Sequence, residues 1–342
     1  MRPETLRRFK SWEGMLFAIL LVVIVYSSIE TPGYLTVQNQ VNLMQLGIEK
    51  AIITLAMAFV IICGEIDLSV ASVMGLSAVV VAVMANNGYP VEVAVVVALI
   101  TGVVCGLING FLVAVVGLPA LVATLAGLIG YRGLAYILIE DKSVGGFPDW
   151  FNAAGQSSFI GPLTLGIVVW IVLAVGAVVL LHRMGYGRRV YVVGNSKDVA
   201  RFSGVRVRRV KFSIFVMSAL AAALAGLLYA ARLGAVRGST GFGFELDIIT
   251  VVLLGGVSVF GGSGTMVGVI LSTLLVLQLR NALTLIDITG NMQAGIVGLL
   301  LILSVLVPNL VGDVRERLRR RQYERAATGP PPAARSEGSL PG

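Results

Sequence analysis

The chain has 342 residues, 57% of them hydrophobic and 13% charged, with a formal net charge of +8. A soluble domain carries about 25% charged residues, so this composition, with a mean hydropathy of +0.92, excludes one. Twenty of the 26 Lys and Arg fall in the stretches 2–10, 183–211 and 315–335, between or beyond the apolar runs, which speaks for the cytoplasmic loops of a polytopic membrane protein and against a nucleic-acid partner.

In chain order, a basic segment at 1–12 precedes an apolar run that starts near Met15. No small-x-small cleavage site follows it, so the run reads as a first anchor. Crossing a lipid core of about 30 Å takes roughly 20 apolar residues. Ten spans account for the pattern: 13–30, 48–64, 68–86, 92–116, 120–139, 162–182, 211–232, 247–261, 265–286 and 291–311. Residues 31–47 have room for a short interfacial helix. An even number of spans puts both termini on one side, and alternation puts 183–210 there too, so all three basic stretches land in the cytoplasm. Residues 313–342 form a basic cytoplasmic tail whose end, rich in Pro, Ala and Gly, lacks the apolar mass to fold. The expected fold is all-α: one membrane helical bundle over 13–312, about ten transmembrane helices, with 183–210 as its principal cytoplasmic loop.

Two regions resemble each other. The first holds Asp67, then Asn109 and Pro119; the second holds Asp247, then Asn281 and Asn291, with the same ten-residue step after each Asn. The acidic starts precede spans that cross in opposite directions, as in an inverted-topology repeat. Asp67 and Asp247 read first as helix-start residues that complement the dipole and cap free N–H groups, and second as proton-coupling carboxylates.

Polar residues inside apolar spans mark where a solute path can run. The candidates are Asn109, Thr124, Arg132, Gln278 and Asn281. Asn109 and Asn281 can contact a polyol or clamp neighbouring helices by hydrogen bonds; both readings stay open. An Arg at mid-span costs about 2.5–3.5 kcal/mol, so Arg132 must face protein or water, either lining the path or bonding the ends of neighbouring helices. Arg232, near a helix end, reads as a snorkelling side chain.

Familiar catalytic chemistry is missing from the sequence. There is no Gly-Lys pair, hence no Walker A loop. His182 is the one histidine and Cys63 and Cys105 are the two cysteines, which gives no metal-ligand spacing. No catalytic residue, cofactor or metal is expected, and ATP-driven work would need hydrolysis on another polypeptide.

The most specific segment is the basic loop. Asn195 or Ser196 can cap a short helix and Gly204 can end it. Val199 and Phe202, three apart, share one face, and Lys197 and Arg201 another. An exposed helix with an apolar ridge and basic flanks is a docking element for a partner; the alternative is a helix lying on anionic lipid.

Gly-Arg-Arg-Val-Tyr at 187–191, Gly-Asn at 194–195, Ala-Arg-Phe-Ser-Gly-Val at 200–205, Gly-Glu-Ile-Asp-Leu-Ser at 64–69, Arg-Gly-Leu-Ala at 132–135, and Phe-Glu-Leu-Asp at 244–247 with Leu-Gly-Gly-Val-Ser-Val-Phe-Gly-Gly at 254–262 together resemble the permease subunits of ribose-type ABC importers, over about 45–310. The resemblance implies a bacterial inner-membrane permease with both termini cytoplasmic, working with a second permease subunit (identical or not), cytoplasmic ABC ATPase subunits and an extracytoplasmic sugar-binding protein. It implies a simple sugar, such as a pentose or deoxyhexose, as solute. It also maps a coupling helix onto about 195–204, with Asn195, Ser196, Val199, Ala200, Phe202, Ser203 and Gly204 as its residues. This chain departs from the family at Glu65, where Gly is usual, and at Arg280-Asn281-Ala282, where the family often reads Asn-Asn-Gly. The rivals are an ion-coupled secondary carrier and an ABC permease for a non-sugar solute such as an amino acid.

Overall fold

A computed structural model describes residues 3–140 and 142–302, with side chains from Trp12 onward. The expected tail at 313–342, the far end of the last span and the side chains of the basic start lie outside the described residues. The helices are α1 (Pro3–Glu30), α2 (Val37–Ile62), α3 (Val70–Asn86), α4 (Val91–Phe111), α5 (Ala120–Ile139), α6 (Asp149–Gln156), α7 (Leu165–His182), α8 (Gly185–Asn195), α9 (Lys197–Phe202), α10 (Val207–Leu233), α11 (Phe244–Leu254) and α12 (Met266–Leu285), followed by α13 (Gly290–Ile302). Residues up to Val297 form one compact unit.

Seven of these helices are long and apolar enough to cross a membrane; α3 and α13, as far as it is described, are shorter. Three sequence-based boundaries need correction. The second helix starts at Val37, not 48, with Thr36 as its cap accepting from the Asn39 N–H, so 37–47 is the N-terminal part of α2 and not a separate interfacial helix. Helix α1 runs back to Pro3. The span expected at 247–261 is a helix of only 11 residues, Phe244–Leu254, or about 16 Å at 1.5 Å per residue. Gly255 and Gly256 (φ +83° at the latter) stop it at about half the length that a crossing needs.

Helices α2, α3 and α10 are the buried heart. Every residue of α2 from Gly47 to Ile62 is buried except Lys50. Helix α4 shows how an all-apolar helix is oriented in such a bundle. Its buried stripe is small: Ala94, Ala98, Gly102, Gly106 and Gly110; its exposed stripe is large: Val93, Val96, Ile100, Val104, Leu107 and Phe111. With lipid as apolar as Leu, helices associate through close backbone approach, and small residues four apart permit it. An added Cβ would lie 2.3 Å from Ala223 Cβ at Gly102 and 2.8 Å from Val216 Cα at Gly106, both on α10. Gly106→Val should therefore prise α4 from α10 and lower the thermal midpoint in detergent by several degrees, about 2 kcal/mol or more of overpacking. An unchanged midpoint would mean that this seam does not hold the bundle.

Among the described residues the strands form two short ribbons. Val144–Gly145 pairs antiparallel with Ala235–Val236, and Ser158–Ile160 with Leu163–Thr164 through a turn at Gly161. The first ribbon joins the 140–161 and 233–246 loops, two loops that alternation assigns to the same face.

Candidate functional site

The basic loop folds as its caps dictate. The Ser196 hydroxyl accepts the Val199 N–H at 3.3 Å and opens α9. Gly204 at φ +76° ends it, its N–H donating to the Arg201 carbonyl at 3.0 Å. The six-residue helix buries Ala200 completely and turns outward Val199, 55% exposed, and Phe202, 92% exposed. Asn195 closes α8 and packs against the turn at Gly262, and Ser203 caps the end of α9. Val199 and Phe202 are thus exposed together on α9, with Asn195, Ser196, Ala200, Ser203 and Gly204 around them.

Helix α9 is also fastened by charge. Lys197 Nζ lies 3.3 Å from Glu65 Oε1, and Lys211 of α10 contacts the same oxygen. Burial works against the Lys197 ammonium, but its neighbours Lys211 and Glu65 together hold its pKa above the ordinary lysine value. Arg201 pairs with Asp198 at 3.6 Å on the solvent side. Nearby, the Tyr191 hydroxyl donates to the Gly264 carbonyl at 2.7 Å. The Met266 N–H donates to His182 Nε2 at 3.1 Å, so the lone histidine satisfies one of the free N–H groups at the start of α12.

A cavity of about 210 Å³ opens between α2, α11, α12 and the start of α13. Lys50, near the middle of α2, donates to Asp247 Oδ2 and sits 4.1 Å above the Phe244 ring; Arg280 Nη2 donates to Asp247 Oδ1 at 3.0 Å. Thr54, Thr273, Asn281, Thr284 and Gln293 add polar wall among Leu43, Val251, Val276 and Val297. Two cations share one carboxylate, so the cavity carries a net positive charge and a ring of hydrogen-bonding groups. Asp247 lies in the first turn of α11, favourable for the dipole, yet its oxygens go to Lys50 and Arg280 rather than to N–H groups.

The polar residues around Asp67 and Asn109 are closed. Asp67 Oδ1 accepts from the Ser69 N–H at 3.0 Å and its hydroxyl at 2.6 Å; Asn109 Nδ2 donates to Ser69 Oγ at 2.8 Å, and the Tyr131 hydroxyl donates to Asn109 Oδ1 at 2.9 Å. Thr124 Oγ1 donates to the Ile66 carbonyl at 3.2 Å. All these groups are buried. Asp67 thus forms a local turn in the 63–69 break instead of capping α3, whose N-cap Ser69 makes no side-chain cap bond.

Of the five path candidates, only Asn281 lines the cavity. Asn109 and Thr124 clamp helices. Arg132 donates to the Gly238 carbonyl at 3.3 Å and to the Thr240 carbonyl, pinning the 237–240 loop. Gln278 accepts from the Tyr34 hydroxyl at 2.6 Å and donates to Gln40 at 2.7 Å. Arg232 does not snorkel: its Nε donates to Glu49, 1% exposed, at 2.8 Å. Sequence reasoning passed over Lys50, and did not place Arg280 or Gln293 among the path candidates. The available signal was the rule that an intramembrane charge needs a partner, which flags Lys50, Asp247 and Arg280 together. Among the described residues no group of three His, Cys, Asp or Glu can hold a metal ion.

Residues 39–305 match the family model described as branched-chain amino acid transport system / permease component. The chain belongs to this permease family. It is 32% identical to the ribose import permease protein RbsC of Haemophilus influenzae over 86% of this chain and 93% of the relative. It is 33% identical to that of Bacillus subtilis over 85% and 91%, and 35% identical to the autoinducer 2 import system permease protein LsrC of Salmonella typhi over 93% and 91%. No solved structure matches it. The permease is thus a multi-pass membrane component of a transport system and not itself an enzyme.

Proposed function

We propose that this permease carries a simple sugar inward, driven by ATP hydrolysed on cytoplasmic ABC subunits that dock on α9, with a second permease subunit beside it and an extracytoplasmic binding protein delivering the solute. The observation that carries the reading is the outward ridge of Val199 and Phe202 on a capped, anchored helix within the most basic loop of a family permease. The names of the relatives, ribose and autoinducer 2 import permeases, favour a furanose-sized polyol over an amino acid. Membership of a multi-component system weighs against a stand-alone ion-coupled carrier.

The reading includes ten crossings, α11 serving as a half-helix, with both termini and α9 in the cytoplasm. It also includes an inverted repeat that pairs α2–α5 with α10–α13. Reciprocal packing supports it: α3 and α4 lie against α10, while α11 and α12 lie against α2. In this reading the cavity beside Asn281, Lys50 and Arg280 is part of the solute path, and Asn109, Thr124 and Arg132 hold its walls.

The test is energetic and needs no prior choice of sugar. In cells bearing the intact system, uptake of a labelled panel led by D-ribose should survive collapse of the proton gradient and fail on ATP depletion. The solubilised permease should co-elute with ATPase subunits. Uptake that follows the ion gradient, from a permease that elutes alone, would overturn the proposal.

A further inference from the structure

The usual glycine of the 64–69 motif is Glu65 in this chain, and its surroundings give that departure a purpose. Glu65 sits in the non-helical break between α2 and α3, set up by Gly64 at φ +78°. It is 8% exposed, and its Oε1 is shared by Lys211 of α10, itself 11% exposed in the side chain, and by Lys197, the first residue of α9. The same spot gathers parts of α2, α8 and the turn after α11. The Gly262 N–H, in the turn after α11, donates to the Ile62 carbonyl at the end of α2 at 2.8 Å. Gly194 of α8 lies so close that an added Cβ would be 1.9 Å from the Ile62 oxygen. The discontinuities of both halves and the root of α9 thus meet around one buried carboxylate.

We infer that Glu65 is a positioning residue that fixes the root of α9 to the α2–α3 break through Lys197 and Lys211, so that displacement of α9 is delivered to the membrane helices rather than absorbed in the loop. This rests on α9 being the docking helix. The physical reason is that Lys197, 52% exposed, would be held only by the one-turn helix it begins. A surface pair holds little, whereas a carboxylate already buried and paired with Lys211 pays little further desolvation to hold a second cation.

Two readouts on the full-length permease test it. The first is tryptic cleavage after Arg201 in inverted membrane vesicles, which reports how firmly α9 is held whether or not α9 meets an ATPase. The second is uptake per ATP hydrolysed by the complete complex in proteoliposomes, with D-ribose as probe. Glu65→Gln and Lys197→Met should each raise cleavage and lower the uptake ratio by about five-fold, on the order of a lost half-buried ion pair. The double variant should be no worse than Glu65→Gln, and Lys197→Arg should stay near wild type. Asp198→Asn, which removes only the solvent-side pair with Arg201, should leave both readouts unchanged. Lys197→Met touches an exposed side chain and so tests the idea even if Glu65→Gln fails to fold. Wild-type cleavage in Lys197→Met, loosened cleavage with an unchanged uptake ratio, or additive losses in the double variant would each overturn the inference. Failure of the docking reading would show separately, as a Phe202→Asp permease that still transports.

Discussion

Phe202→Asp is expected to abolish coupled uptake while leaving the permease folded and inserted. The ring is 92% exposed and touches little of its own chain, so its loss should shift stability by no more than about 0.5 kcal/mol. Against a partner the arithmetic changes. A central aromatic anchor carries about 2 kcal/mol or more of binding energy, close to thirty-fold in affinity, and a carboxylate forced into the same apolar pocket adds desolvation. The measurement is ATPase retained on the purified permease, alongside uptake and the thermal midpoint. A control at Ala200, buried on the same six-residue helix, behaves differently: Ala200→Asp should disrupt α9 itself and lower the midpoint. Normal uptake by Phe202→Asp would remove α9 from the force path.

Asp247→Asn should damage both the bundle and transport. The carboxylate holds Lys50 and Arg280 at once, and its loss leaves two cations facing each other at membrane depth. Removing one partner of a fully buried pair costs about 3–5 kcal/mol. Here the three side chains keep 23%, 28% and 27% exposure, which softens the loss to about 2 kcal/mol, a fall of roughly 3 °C in the midpoint for a chain of this length. Uptake should fall further than stability, because the freed Lys50 and Arg280 would rearrange the wall beside Asn281. Asp247→Glu, which keeps the charge, should recover most of the midpoint. An Asp247→Asn permease with a native midpoint and native uptake would show that the triad organises neither the bundle nor the path.

The parts of this molecule that are local in sequence were legible there. Helix α9 is set by Ser196, the Val199–Phe202 step and Gly204, all within nine residues, and a capping hydroxyl and a left-handed glycine need nothing from the rest of the chain. The long spans were legible because apolar length alone marks them. The orientation of α4 was not, since its two faces differ in size and not in polarity, and only the glycine seam on α10 selects between them. The early stop of α11 was missed because the apolar run continues through Val257, Val259 and Phe260, hiding the break made by Gly255 and Gly256.

Paired charges were the least legible. Lys50 and Asp247 are 197 residues apart, and Arg232 and Glu49 are 183 apart, so each looks alone in its own segment. The two matched asparagines make the same point. Asn109 and Asn281 looked alike in sequence, yet one is locked between Ser69 and Tyr131 while the other faces a cavity. The sequence by itself determined that this chain lives in a bilayer, where its long apolar runs lie, and that its basic loop holds a short capped helix with exposed apolar side chains, because hydrophobicity and capping act over a few residues. Only the tertiary structure decided which polar groups satisfy one another and which are left to line a space, because in a low-dielectric interior a charge is governed by the partner within a few ångströms, wherever in the chain that partner lies.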